Sequence, residues 1–230
     1  MNLSSDTVVT IIQARMNSSR LPGKVMFDWN GAPMLQRLIE RVESSKMSDK
    51  ITVATSDTPA DDVIETLCNS IGVKCFRGSE SHVLQRFVKT AQASNASVVV
   101  RLTGDNPFVH SELVDYAIME FLNRYPKIDY FSNTDSQGFP YGLFVEVIKA
   151  STLEAICHDA NPEEAEHVTL RIRNNPKNFN IGQLPVDRLY PNISLTVDTE
   201  DDVRFLLPIF KFLANKNPKF GLSEIASIKI

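Results

Sequence analysis

Short β-branched runs alternate with helical patterns through the first half of the chain. The runs TVVTII, KITVAT, VKCF and SVVVRLTGD are separated by PMLQRLIERVESS, PADDVIETLCNSIG and HVLQRFVKTAQAS, which is the βαβ alternation of a mostly parallel sheet. Residues 98–101 are nearly continuously apolar, as expected of a strand covered by helices on both faces. Punctuation supports the helices. Thr58 can cap with Pro59 at the first helical position and Asp62 nearby, and Gly72 follows the last periodic residue as a stop. The second half has a different texture. IDYFSN reads as a further strand, while YGLFVEVI and FNIGQLP read as half-buried antiparallel pieces flanking two helices, near residues 151–158 and 163–174. ISLTVDTEDDVRFLLPIFKFLANK reads as a strand running straight into a helix. No repeat, low-complexity tract or Pro/Gly-rich linker interrupts the pattern, so the expectation is one α/β domain over residues 1–230.

Composition narrows the function classes. A chain of 230 residues with 43% hydrophobic content can bury a full core. The net charge of −4 gives no global basic field, so nucleic acid is not an expected partner and affinity for anions has to be local. Cys68, Cys75 and Cys157 are too few and too scattered for a disulfide framework or a CxxC metal site, which suits a reducing cytoplasm. No basic stretch precedes an apolar one at the start, and nowhere do 18 apolar residues run together, so neither secretion nor membrane spanning is expected.

Local positive charge is found after the first predicted strand. In IIQARMNSSRLPGKVM, Arg15, Arg20 and Lys24 fall within ten residues, together with Ser18, Ser19 and Gly23. The loop after the first strand is the usual phosphate site of open α/β sheets. It is not a Walker A loop, because Ser18 stands five before Gly23 and Val25 follows Lys24, and no GxGxxG occurs. Small residues for close backbone approach and three cations suit a polyphosphate, although a solvated basic loop would have the same composition.

Two carboxylates follow other strands. Asp105 in TGDNPF ends one strand, and Asp198 in LTVDTEDD ends another. Each has an ordinary reading: Asp-Asn-Pro is turn chemistry, and Asp198 precedes a helix start where Thr199 can cap and Glu200 and Asp201 favour the dipole. Converging on one crevice with the cationic loop, the pair would suit Mg²⁺, which takes one or two carboxylates and completes its shell with phosphate oxygens and water.

The segments QARMNSSRLPGK, RGSESHVLQRF, RLTGDNP, YGLFVEV, EHVT and TVDTEDD, in this order, resemble the motifs of the cytidylyltransferases that activate acidic sugars. The first reads as A-R-x-x-S-x-R-x-x-x-K, and the set is most similar to the SpsF-like branch of spore-coat polysaccharide biosynthesis, related to 3-deoxy-manno-octulosonate and acylneuraminate cytidylyltransferases. The resemblance implies a Rossmann-like fold of the nucleotide-diphospho-sugar transferase type, CTP as substrate and Mg²⁺ as cofactor. It puts Arg15 and Lys24 on the triphosphate as catalytic groups, with Gln13, Ala14, Ser18 and Arg20 completing the loop. Asp105 and Asp198 match the metal-binding aspartates, with Asp105 also next to the nucleotide. Arg77 and Gly78, with Gln85 or Arg86 nearby, fall where relatives approach the cytidine. Tyr141, Glu146, Glu166 and His167 fall on the sugar side. Relatives usually carry Gly where this chain has Asn17, a residue that tolerates a left-handed backbone.

The implied reaction is attack of a 2-keto acid sugar's anomeric hydroxyl on the α-phosphate of CTP, with pyrophosphate leaving, in a cytoplasmic homodimer. A nucleotide-sugar-dependent glycosyltransferase would share the α/β start, but the chain has no Asp-x-Asp. A catalytically silent nucleotide-binding subunit would carry every one of these motifs.

Overall fold

The computed structural model describes residues 7–134, 138–185, 190 and 193–228. Its centre is a seven-stranded sheet of β1 (Val8–Gln13), β2 (Lys50–Ser56), β3 (Lys74–Gly78), β4 (Val98–Thr103), β5 (Tyr130–Ser132), β6 (Glu146–Lys149) and β7 (Ile181–Gln183), ordered β3-β2-β1-β4-β6-β5-β7. The first four strands pair in parallel, with Val9 opposite Lys50 and Val8 opposite Val98. Of the described strands, β6 alone runs against its neighbours, pairing antiparallel with both β4 and β5.

Around the sheet lie α1 (Met34–Val42), α2 (Asp62–Ser70), α3 (Val83–Ala93), α4 (Ser111–Leu122), α5 (Ala150–Cys157), α6 (Pro162–Glu166), α7 (Leu170–Asn174), α8 (Glu200–Lys216) and α9 (Leu222–Ala226). Alternating strand positions feed two apolar layers. Ile12, Val53, Val98, Val100 and Leu102 meet Leu35, Leu38, Val114, Ile118 and Phe210 on one face. Val9, Ile11, Ala54 and Val99 meet Leu84, Phe87, Leu153, Ile156 and Ile172 on the other. Helices on both faces explain why these strands are continuously apolar. No helix is long and apolar enough to cross a membrane, among the described residues.

Several elements differ from the sequence reading. FNIGQLP supplies β7, which pairs parallel with β5 rather than antiparallel. The span 163–174 divides into α6 and α7, because the chain turns at His167 and Thr169, where the Thr169 hydroxyl bonds Glu146. Helix α4 was not foreseen; its near-continuous apolar sequence gives a weak stripe, and it is fixed by burial of Leu113, Val114, Ala117, Ile118 and Phe121. Thr58 does precede Pro59 at the start of a 3-10 turn, but its hydroxyl pairs with Ser56 and makes no cap bond. Gly72 ends α2 as expected, in the left-handed conformation at φ 74°.

The largest departure is ISLTV, which joins no sheet. Its apolar residues Ile193, Leu195 and Val197 are buried, giving the alternation of a strand. Its backbone instead bonds loops at the carboxyl ends of the strands: Leu195 N–H donates to Tyr141 O at 2.7 Å and Val197 N–H to Asp105 O at 2.9 Å. Gly142 permits this crossing. At φ +94° a Cβ there would lie 2.5 Å from Thr196 N, far inside contact distance.

Candidate active site

The loop after β1 closes on one peptide unit. The Met16 carbonyl accepts from Ser18 N at 2.9 Å and Gly23 N at 2.8 Å, so the chain returns on itself before a 3-10 turn (Lys24–Met26) carries Lys24 inward. Gly23, at φ 75°, supplies the left-handed residue of this return. Asn17 is not in that conformation; its amide instead reaches Glu80 Oε1 at 2.8 Å.

Lys24 is the meeting point of the site. Its side chain is only 7% exposed, and its ammonium donates to Asp105 Oδ2 at 2.8 Å, Asp198 Oδ1 at 2.9 Å and Val197 O at 2.8 Å. Three N–H donors thus have three acceptors, which fixes the amine in one orientation. Arg20, largely exposed, takes the other Asp198 oxygen, Oδ2, at 2.8 Å. Helix capping does not consume Asp198. Thr199 and Asp202 form the capping box of α8, and Asp202 also accepts the Asp198 N–H, which leaves the Asp198 carboxylate to the crevice. Two carboxylates from distant parts of the chain therefore converge on one cation position beside the cationic loop.

The hard oxygen donors of Asp105 and Asp198 fit a divalent ion of the Mg²⁺ type, provided that phosphate or water supplies the rest of the shell. Among the described residues, no group of three or more ligating side chains forms a complete protein-held site.

A crevice of about 180 Å³ runs over Arg15, Ser18, Ser19 and Lys24, and it opens into a chamber of about 410 Å³. Gln13, Arg20, Asp105 and Asp198 line both spaces. The chamber is walled by Arg101, Asn106, Tyr141, Phe144, His167 and Arg173, with Glu146 at its base. Glu146 is fully buried. One oxygen accepts from Tyr130 Oη at 2.5 Å and Thr169 Oγ1 at 2.7 Å, and the other pairs with Arg101. Burial works against its ionisation, but the Arg101 charge and the hydroxyl bonds prevail and hold its pKa below the usual carboxylate value. Burial, then the adjacent carboxylate, push the Tyr130 phenol up. Arg101 is held from its other side by Gln13 Oε1, at 3.0 and 3.2 Å.

A cytidylyltransferase family profile matches residues 9–218. The chain belongs to the cytidylyltransferase family. It is 38% identical over 229 residues to the spore coat polysaccharide biosynthesis protein SpsF of Bacillus subtilis (strain 168), covering 96% of this chain and 93% of that protein. A 3-deoxy-manno-octulosonate cytidylyltransferase of Trichlorobacter lovleyi is 32% identical over 119 residues, 51% of this chain and 46% of its own. The structure of a cytidylyltransferase from Leptospira borgpetersenii superposes with a TM-score of 0.84 at 30% identity, over 98% of this chain and 99% of that one.

In this cytidylyltransferase the structure brings together most of the residues singled out from the sequence. Gln13, Arg15, Ser18, Arg20, Lys24, Asp105 and Asp198 line the crevice, and Ala14, between Gln13 and Arg15, is buried. Tyr141, Glu146 and His167 line the chamber. Glu166 is exposed and sits 3.7 Å from Arg15 across the entrance. Glu146 contributes to the chamber through Arg101, since both its oxygens are occupied.

Arg77 lies elsewhere. Its guanidinium bonds Ser56 O and Thr58 O at 3.0 and 2.7 Å and pairs with Glu65 and Asp62, so it ties β3 to the start of α2 and lines neither cavity. Gly78 packs against Arg86, whose Cγ would be 3.4 Å from a Cβ at that position. Arg86 is buried at 2% exposure and bonds Ser79 O through one nitrogen, while its Nε is left without a partner. Burial, then the nearby Arg15 charge, lower its pKa. Sequence reasoning passed over Arg101, although a cation interrupting the apolar run VVVRL was a signal of a buried partner.

Proposed function

We propose that this cytidylyltransferase transfers CMP from CTP to the anomeric hydroxyl of an acidic 2-keto sugar, with release of pyrophosphate. The observation that carries this reading is Lys24 bridged by Asp105 and Asp198 at the mouth of a cationic loop, next to a polar chamber of sugar size. The acceptor oxygen attacks the α-phosphorus in line, a new P–O bond forms, and the bond to the β-phosphate breaks with its electron pair on pyrophosphate. The hydroxyl proton passes to solvent. Such chemistry asks the protein for alignment and charge neutralisation rather than a covalent intermediate.

Arg15 and Arg20 hold the triphosphate, with Ser18 and the backbone around Gln13 and Ala14 shaping the approach, while Lys24, its three donors taken by Asp105, Asp198 and Val197, adds its charge from beneath. Asp105 and Asp198 would hold Mg²⁺, which when bound would supply positive charge to the phosphate oxygens. On the acceptor side, Arg101 is fixed in one orientation and Arg173 and His167 line the opposite wall. The 2-keto acid class is supported by relatives whose names specify 3-deoxy-manno-octulosonate. Tyr141, 58% exposed at the chamber wall, is where a second copy would close the site of a homodimer.

Pyrophosphate release from CTP with Mg²⁺ and a panel of 2-keto sugar acids tests the proposal. Release is expected only with CTP, a sugar acid and the ion together. Equal turnover with ATP would remove the base assignment, and CTP binding without release for any acid would leave a nucleotide-binding subunit in place of an enzyme.

A further inference from the structure

A third carboxylate, not marked by any motif, stands behind the cationic loop. Asp61, at the end of the 3-10 turn Pro59–Asp61, is 0% exposed. Its Oδ1 accepts from Met16 N at 2.7 Å, and its Oδ2 accepts from Thr55 Oγ1 at 2.8 Å, Ser56 N at 2.9 Å and Ser56 Oγ at 2.5 Å. Two of these donors are backbone amides from different elements, the tip of β2 and the loop after β1. Met16 is the peptide on which that loop closes, since its carbonyl receives both Ser18 N and Gly23 N. Its neighbour Arg15 lies on the crevice, and the loop's far end delivers Lys24 to Asp105 and Asp198.

We propose that Asp61 is the positioning residue of the phosphate loop, pinning the Met16 peptide to the end of β2 so that Arg15 and Lys24 are held in place before the nucleotide arrives. The assignment rests on the reading of this loop as the triphosphate site. A carboxylate is suited to the task because it accepts on both oxygens, and all four groups around it are donors. Burial alone would favour the neutral acid, but the bonds from Ser56, Met16 and Thr55 together hold its pKa below the usual value. A carboxamide cannot substitute. Whichever way Asn is turned, its NH₂ group faces either Met16 N–H or Ser56 N–H, and one end of the pin is lost.

Two variants separate positioning from stability. Asp61→Asn removes the pin, whereas Thr55→Val removes a donor to the same carboxylate without touching the loop. The expected result for Asp61→Asn is CTP affinity, measured by calorimetry, lowered about tenfold or more, in keeping with the loss of a hydrogen bond to a charged group. Amide exchange over residues 16–24 should rise in the same variant. Thr55→Val should keep CTP affinity within about twofold and leave the exchange of the loop unchanged.

The proposal is overturned if Asp61→Asn binds CTP and exchanges as the unmodified chain does, or if Thr55→Val matches Asp61→Asn in both measurements. In the unmodified protein, the Met16 amide should exchange as slowly as the Ser56 amide on the same carboxylate. Fast exchange at Met16 overturns the proposal even if the Asn variant does not fold. Failure of the unmodified chain to bind CTP would remove the triphosphate reading alone, and the exchange measurements would still decide the pin.

Discussion

The crevice at the cationic loop and the adjoining chamber share five lining residues, Gln13, Arg20, Thr103, Asp105 and Asp198, yet they are assembled by different means. In the loop, near neighbours in the chain do most of the work: Met16 receives Ser18 and Gly23, Ser18 Oγ receives Leu21 N at 3.4 Å, and ten residues carry all three cations. The chamber draws Arg101 from β4, Glu146 from β6, Arg173 from α7 and Thr196 from the segment before α8. Glu146 holds its corner together through Arg101, Tyr130 and Thr169, which lie 29 and 39 positions apart in the chain. A fault in the loop should therefore fall on the nucleotide, while a fault in the chamber should fall on the acceptor and on folding together.

The largest effect is expected at the cation that bridges Asp105 and Asp198, two of the residues lining both spaces. Lys24→Ala should lower kcat by about 10²- to 10³-fold, the usual cost of removing one preorganised charge-stabilising group, with circular dichroism unchanged. A loss below tenfold in pyrophosphate release would mean that the bridged ammonium is structural. Asp105→Asn and Asp198→Asn should each cost about 10²-fold and weaken the response to added Mg²⁺. A variant that keeps the full metal titration curve would take that carboxylate out of the ion site.

Within the chamber, Glu146→Gln should raise the acceptor KM about tenfold through a loosened Arg101 while leaving the KM for CTP unaltered. The melting temperature should also fall, because Arg101 would lose the charge of its buried partner. A change in the KM for CTP alone would erase the division between the two regions. The smallest effect belongs to Arg77→Ala. Since its partners Asp62 and Glu65 are exposed carboxylates of α2, CTP affinity should stay within about twofold, and a larger loss would return Arg77 to the nucleotide site.

The parts of this molecule that were legible in its sequence are those built over short distances. Val98, Val99 and Val100 announced a covered strand, and Arg15, Arg20 and Lys24 announced a cationic loop at a strand end, because the determining residues are adjacent. Convergence of Asp105 with Asp198 came from the resemblance to a family; no local pattern relates residues 93 positions apart. ISLTV was read as a strand because burial of alternate residues produces the same alternation whether the backbone pairs with a sheet or with loops. Arg77 was placed near the nucleotide by its motif, but its rotamer is decided by Ser56, Thr58 and α2, which the motif does not contain. Asp61 had no signal at all. One of two adjacent aspartates points inward to Met16 and the other, Asp62, points out to Arg77, and that choice is made by the turn at Pro59–Asp61.

Gly142 links these parts. Tyr141 and Phe144 on either side face the chamber, where replacement would retune the acceptor. At 142 itself even a methyl group would collide with the backbone that carries Asp198 toward Lys24. Substitution at Tyr141 or Phe144 would thus alter the chamber wall and leave the crossing intact, whereas substitution at Gly142 would displace the crossing segment itself. The position of Asp198 beside Lys24 therefore depends on a residue that never touches either, because a hydrogen atom is the largest side chain that fits at 142.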